Sequence, residues 1–560
     1  MLFTLLACIY ITIICFVWGV FVYRLMAVTA KNIASYPHFS MICLIGFAAI
    51  TSIAGIFSLF IPLGGWQGQL IVLIPFLFFL LSSNKKFIIE KIKSDISRLK
   101  FPALVLFIVY FLLLLVMSSW KIVHPDTLNY HAQTIQWIEK YKAIPGIVHL
   151  HSRFGYQGLW FTACALFSFK FIGGHAATFI NTAVLIWYIL FIVYKINICL
   201  AQKENYFNGF LWLSLLGISS WSYTEVRLTA TSASPDFIAA LFILAIVYLL
   251  LHKKESEKND WLLISFLSLT AITIKLAALP VIIISVIAAI TFLIEKKIKS
   301  FILLLTISAC TLLPFVARNI ISTGYVVFPS TTLDIVKVDW KYNQQLTNLE
   351  KDYIKAHART EADRSGEAIA SSVNMKITEW FPIWWRHRAI ADKTILIVFV
   401  FSFIISLIRF KKIISTDFNI KIAFLIMLAG IIFWFINAPD PRFGTGFLMG
   451  FIAIVSTVFL AATRMNKLIF LLILAAIIIT ISGYTVYRFK YFYNETQWLK
   501  PQGIEKTSYT TIVCNKIKIN QPGVNIPFGN IPVPCTDDSC EHFNLRSDKI
   551  TDGFRAKLHR

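Results

Sequence analysis

Charge is scarce in this sequence: of 560 residues only 14% are Asp, Glu, Lys or Arg, while 57% are hydrophobic. Both figures lie well outside the range of a water-soluble globule. A soluble enzyme is thereby excluded, and lipid becomes the expected solvent for most of the chain. Acid is scarcest of all, with 29 Asp and Glu against 52 Lys and Arg, a net charge of +23. That excess does not form the stripe a nucleic acid would need; the basic residues fall mainly in short loops between apolar runs, so membrane topology accounts for them and nucleic acid is not an expected partner. The sequence has no P-loop, no repeat at a fixed period and no low-complexity tract, which removes support for ATP-driven transport. It also lacks a basic n-region or a small-residue cleavage site before the first apolar run, so that run is expected to be a first span and not a removed signal peptide.

What the sequence has is apolar runs of 15 to 24 residues, recurring from Leu2 to Val486. A helix rising ~1.5 Å per residue needs about 20 residues to cross ~30 Å of hydrocarbon, and only helices satisfy their own backbone there. The expected fold is therefore an all-α polytopic membrane protein with about 14 transmembrane helices. The runs fall near 2–23, 39–61, 69–82, 101–120, 176–195, 208–222, 237–252, 261–275, 278–294, 300–317, 394–409, 420–436, 444–462 and 467–487. The short loop with Lys85, Lys86, Lys91, Lys93, Arg98 and Lys100 is strongly basic and reads as cytoplasmic. Alternating outward from it, the other net-basic loops also fall inside, but only if the stretch Gly158 to Gly173 does not cross. A re-entrant or juxtamembrane helix is expected there.

This topology divides the chain into N-terminal helices (1–100), a transmembrane core (101–317), C-terminal helices (394–487) and three outer regions. Those regions are the first outer loop (121–157), a large loop (318–393) and a tail (488–560). Six of the nine cysteines lie in apolar runs and read as small buried hydrophobes. Cys514, Cys535 and Cys540 lie in the tail, where an oxidising compartment permits one disulfide, without spacing deciding which. The tail is rich in Pro and Gly, so a small loop-rich outer cap is expected.

Reactive side chains are densest in the first outer loop, from His124-Pro-Asp-Thr-Leu-Asn-Tyr-His131 to His149-Leu-His-Ser-Arg153. If Thr127 to Tyr141 is helical, Asp126 sits at its N-cap and Tyr130 lies about a turn further along the same face. A carboxylate there can act as a general base or hold a divalent cation; it can also simply cap the helix. The histidines show no i, i+4 pair on a convincing helix, so no metal site is assigned and no cofactor is required. Asp236 opens the span after the next outer loop and is a second candidate carboxylate. Lys275, between two apolar helices, must snorkel, pair or meet an anion. Arg318 and Arg442 end spans at the outer face, where either can grip a phosphate bidentately or anchor a helix.

The pattern Asp126, Tyr130, His131, the re-entrant helix and Asp236 resembles the GT-C superfamily of polytopic glycosyltransferases. It is most similar to a bacterial family of GT-C-like membrane proteins, through Thr273-Ile-Lys-Leu276, Arg318-Asn319, Gly324-Tyr325, Pro329, Asp339-Trp340, Pro439-Asp-Pro-Arg-Phe443, Pro534-Cys-Thr536, Leu545-Arg546 and Gly553-Phe554. The resemblance implies a GT-C-like helix arrangement in the bacterial cytoplasmic membrane. It implies transfer of a sugar, on the outer face, from a polyprenyl-phosphate-linked donor held among membrane lipids to a lipid or glycan acceptor of the cell envelope. Asp126, His131 and Asp236 would be catalytic; Tyr130, His124, Arg153, Lys275, Arg318 and Arg442 would bind substrate, the cations stabilising the departing phosphate. The first loop has no Asp-x-Asp pair, and Trp384-Trp385 is followed by Arg386 where an oligosaccharyltransferase has Asp. Two rivals share this architecture: a transporter or flippase of lipid-linked glycans, and a surface-polysaccharide polymerase or ligase.

Overall fold

The structure is a computed structural model. It describes the whole chain except residues 28–36, 82–88, 91–92, 94–98, 173–178, 203–227, 253–259, 461–465, 496, 502, 505, 515–516, 538–539 and 558–560. Among the described residues, nine helices are long and apolar enough to cross a membrane, from Leu2–Met26 to Lys467–Tyr487. Four expected spans are shorter apolar helices, Trp66–Leu77, Phe101–Met117, Asp236–His252 and Trp261–Ile274. The run at 208–222 lies outside the described residues. The helices form because Leu, Ile, Phe and Ala dominate each run. Their outward faces stay apolar: Leu468, Leu472 and Ile479 are all more than 60% exposed, as a surface meeting acyl chains requires. Helices Leu2–Ala27 and Phe39–Phe57 approach closely because Gly19 and Gly46 face each other's backbones; a Cβ on Gly46 would lie 1.7 Å from the Cys15 carbonyl oxygen.

Contacts between loops fix which helix ends share a side. The N-terminal ammonium donates to the Gln497 carbonyl at 2.5 Å, so the first helix begins on the side where the tail emerges. Leu63 donates its amide to Ile138 O at 3.0 Å, placing the turn after helix Phe39–Phe57 beside the first outer loop. The stretch after Gly158 returns to that same side: Lys170 Nζ pairs with Glu139 at 2.9 Å. Its α-helix, Leu159–Leu166, has eight residues, only ~12 Å at 1.5 Å each, and cannot traverse the bilayer. Its Trp160 indole donates to Ala233 O at 2.8 Å and its Leu166 carbonyl accepts from Gln69 at 2.6 Å. The segment is a short apolar wedge that begins and ends beside the first outer loop.

The large loop is mostly helix. The preceding helix runs through to Thr323 and stops because Gly324 takes a left-handed conformation, φ +81°. Helices Gln344–Thr360, Gly366–Asn374 and Ile377–His387 follow. The first of these, amphipathic and capped by Asn343, forms a roof over the membrane helices. The tail is a cap of two small antiparallel hairpins, Tyr509–Cys514 with Ile517–Pro522 and Phe543–Leu545 with Phe554–Ala556. Of its three cysteines, Cys514 and Cys540 form the disulfide, Cα atoms 5.6 Å apart. Cys535 remains a buried thiol whose Sγ lies 3.0 Å from Gln133 Oε1.

The tail docks on the first outer loop. Gly529 donates its amide to Leu128 O at 2.8 Å, Gln133 Nε2 donates to Ile531 O at 2.9 Å and Thr536 donates to Leu150 O at 2.7 Å. Phe554 N bonds Pro145 O at 2.9 Å. Side chains from both partners, among them Trp137, Leu150, Phe154, Phe528 and Phe554, share one buried apolar cluster.

Candidate functional site

Three breaks in helices deliver charged side chains to one place. Helix Asp260–Ile274 gives way at Lys275, which is extended (φ −152°, ψ 126°) before a 3-10 turn holding Pro280. A proline cannot donate to a continuing helix, so the chain leaves the helical path and Lys275 faces inward. Pro441 likewise starts helix Pro441–Leu460, where its missing N–H is harmless. The turn before it is held by two indoles: Trp384 donates to Pro439 O at 2.5 Å and Trp434 to Asp440 O at 2.6 Å. Asp440 accepts the Arg442 amide at 3.2 Å, fixing where the guanidinium starts. The third break follows Pro125, where a π-helical turn, Thr127–His131, precedes helix Ala132–Lys140.

Asp126 occupies the N-cap position there, but its side chain makes no capping bond. His124 does that work, its Nδ1 accepting the Thr127 amide at 3.3 Å. The Asp126 carboxylate is free to turn to cations, with Oδ2 2.9 Å from Arg442 and Oδ1 3.4 Å from Arg153. Capping therefore does not explain this residue. Asp236 pairs with Lys275, and its other oxygen lies 3.7 Å from the same Arg442 nitrogen that holds Asp126. Arg442 Nε also meets Asp440 at 3.1 Å. Three carboxylates thus face three cations, and the ionised side chains sum to zero.

These groups border a cavity of about 340 Å³. Asp126, Tyr130, Arg153, Lys275 and Arg442 line it, as do apolar side chains including Phe315, Phe328, Phe433 and Trp434. Burial pushes the Asp126 carboxyl up, yet its positive neighbours, Arg442 foremost, outweigh burial and hold it well below the usual carboxylate range. Burial drives His124 down to about 4 against the opposing pull of Asp126, and drives His131 well down too. Both imidazoles are therefore neutral at pH 7. Tyr130 is pushed up by burial first and Asp126 second, so it stays a phenol.

Of the residues singled out in the sequence, five line the cavity and Asp236 backs it through Lys275 and Arg442. His124 and His131 do not line it. His131 is buried, its Nδ1 3.2 Å from the Thr127 hydroxyl and its ring against Tyr130 and Phe161. Arg318 also stands outside the cavity. It is buried, bonding Gln157 Oε1 through Nη2 at 2.6 Å and Ser58 through Nη1 at 2.8 Å. Each of its three nitrogens donates to Gln157 or Ser58, joining its helix to the first outer loop and to the end of helix Phe39–Phe57, and it is not part of the cavity wall. Among the described residues no cluster of three or more His, Cys, Asp or Glu is arranged to hold a metal ion.

Sequence reasoning missed the roof. Tyr353, Ile354, His357 and Ala358 line the cavity from helix Gln344–Thr360, and Arg153 donates to the Tyr353 hydroxyl at 3.3 Å. Buried Glu350 ties this helix to the first loop, accepting from Tyr156 at 2.5 Å and Ser152 at 2.8 Å. The available signal was the amphipathic i, i+4 pair Tyr353 and His357 in a loop too long to be idle. Residues 1–449 match a family model described as a domain of unknown function, DUF8201. No curated protein and no solved structure matches the chain.

Proposed function

Because the chain belongs to the DUF8201 family, the site itself has to carry the functional argument, and we propose that the protein is a membrane glycosyltransferase of the GT-C type. On this reading it crosses the bacterial cytoplasmic membrane about 14 times and works at the outer face. It moves a sugar from a polyprenyl-phosphate donor to an envelope glycan or lipid-linked acceptor. The observation that carries the reading is the cavity's double character, in which one wall is aromatic and aliphatic while the other presents Lys275, Arg153 and Arg442. An amphiphile with an anionic junction between lipid and head group matches such a site. The cluster is neutral without ligand because the carboxylates occupy the cations. A donor phosphate would share these cations with Asp126 and Asp236, so its charge enters where Lys275, Arg153 and Arg442 can offset it. Lys275 and Arg442 then stabilise the charge that grows on the phosphate as the sugar leaves. Tyr130, Tyr156 and Tyr353 offer rings and hydroxyls to the sugar.

The test is transfer of radiolabelled sugar from polyprenyl-phosphate-sugar donors into extracted glycan, using membranes that carry the wild type or Asp126→Asn at equal levels. Transfer that the substitution abolishes is expected. Full activity in Asp126→Asn would refute the assignment of the site, and no transfer from any donor by abundant, folded wild type would turn the argument to transport of a lipid-linked glycan.

A further inference from the structure

The transferase reading leaves open which group takes the proton from the acceptor hydroxyl, and Asp126 is badly placed for it. An in-line displacement at an anomeric carbon puts the incoming oxygen and the departing phosphate on opposite faces of the sugar. Lys275 and Arg442 are the cations for the phosphate, and Asp126 touches Arg442 directly at 2.9 Å. No sugar ring fits between groups in contact, so Asp126 stands on the leaving-group side. Its ion pairs also stabilise the carboxylate over the acid, which makes it a weak proton acceptor.

His357 differs on each count. It lies near the end of the roof helix Gln344–Thr360, lines the same cavity and packs its ring on Tyr353, centroids 5.6 Å apart. The helix ends because Glu361 adopts a left-handed conformation, φ +56°, which swings the chain back and places the Ala362 carbonyl 3.1 Å from His357 Nδ1. A carbonyl only accepts, so Nδ1 carries the proton and the lone pair is on Nε2. Among the described residues Nε2 has no hydrogen-bond partner in the protein. This is the geometry of a base whose tautomer is fixed by the backbone, carried by the roof helix and not by the broken membrane helices that carry Lys275 and Arg442.

We propose that His357 Nε2 is the catalytic base of this site, a role that rests on the transferase reading. The acceptor oxygen forms its bond to the anomeric carbon while its proton passes to Nε2. The bond from that carbon to the phosphate oxygen breaks, and its electron pair leaves on the polyprenyl phosphate, held by Lys275 and Arg442. The proton on His357 is then lost to water. Asp126 becomes a positioning residue that keeps Arg442 and Arg153 aimed into the cavity.

The experiment compares purified full-length wild type, His357→Ala, His357→Gln and Asp126→Asn, each verified as monodisperse, with polyprenyl-phosphate hexose donors and membrane-extracted acceptor. His357→Ala is expected to lower kcat by about 10²- to 10⁴-fold with donor KM changed by only a few-fold. Added imidazole should restore part of the lost rate in His357→Ala and none in Asp126→Asn. His357→Gln, which keeps a polar side chain but cannot accept the proton, should be as slow as His357→Ala. Wild-type kcat in either His357 variant overturns the assignment alone. So does a loss confined to KM and untouched by imidazole. Wild type that transfers from no donor overturns the transferase reading and this role with it.

Discussion

Replacing Arg442 should reveal how far the charged cluster is a single unit. Its guanidinium meets Asp126 at 2.9 Å, Asp440 at 3.1 Å and Asp236 at 3.7 Å, with the side chain 25% exposed. Arg442→Gln removes the cation and leaves three carboxylates served by Lys275 and Arg153 alone. Breaking a buried pair from one side costs about 3–5 kcal/mol, and partial exposure puts this case at the low end, about 3 kcal/mol. Asp126→Asn removes one charge-assisted bond to each of two arginines, about 2 kcal/mol in all, because Arg442 keeps Asp440. The double variant lacks both the repulsion created by the first change and the bond lost in the second. It should therefore be less destabilised than the sum by about 1.5 kcal/mol. Denaturant titration of the four proteins in one detergent measures this. Additivity within about 0.5 kcal/mol would show that the two residues act independently and would refute the shared network.

Gly553→Ala should loosen the tail by about 2 kcal/mol or more, since φ there is +94° with extended ψ, a region kept for glycine, and a Cβ would lie 2.2 Å from the Pro145 carbonyl oxygen. Limited proteolysis should cut this variant within 509–556 sooner than the wild type, and equal rates would discount the glycine's role in docking. Lys170→Cys, in a background without other reactive thiols, should react with a membrane-impermeant reagent from the same side as Glu139→Cys; labelling only from the opposite side would mean that Gly158 to Gly173 crosses. Stability should fall on acidification from pH 7 to 5. His124 is pushed by burial from about 6.5 to about 4, so between those values the unfolded chain binds more protons than the folded one. The contribution is intact above about 6.5 and lost as pH falls towards 4, amounting to about 2 kcal/mol by pH 5. His124→Gln should flatten that part of the profile, and an unchanged slope would assign it elsewhere.

The helices were legible because crossing a bilayer demands continuous apolar length, which a sequence displays openly. Charge parity argued against a crossing at Gly158 to Gly173, since one more would have put Lys253, Lys254 and Lys258 on the wrong side, and the helix found there has only eight residues. Asp126, Lys275 and Arg442 stood out because charge at a helix end in lipid requires a reason. Which reason each had was not legible. Arg318 and Arg442 look alike in sequence, both at outer helix ends, yet Gln157 and Ser58 occupy the first while the second turns to a carboxylate 316 residues away. His124, expected from the resemblance to bind substrate, caps the helix in place of Asp126, because local spacing shows that something caps the helix and tertiary packing decides what. The roof escaped because the balanced charge of its loop hid an amphipathic helix whose apolar face has meaning only once the cavity beneath it exists.

The cluster sits where two frameworks meet. Asp236, Lys275 and Arg442 are carried by the ends of membrane helices, whose positions the bilayer and their packing set. Asp126, Arg153 and Tyr353 are carried by the first loop and the roof, which the tail braces through Gln133 and Leu150. The Asp126–Arg442 pair joins the two, and a second tie runs from Arg318 to Gln157 and Ser58. An anionic ligand that draws Arg442 away from Asp126 replaces the first tie with its own bonds and leaves the second intact. Backbone bonds from Ala143 to Ser58 O and from Gly146 to Ile321 O hold the same junction, so the first loop stays seated on the membrane helices when Arg442 changes partner.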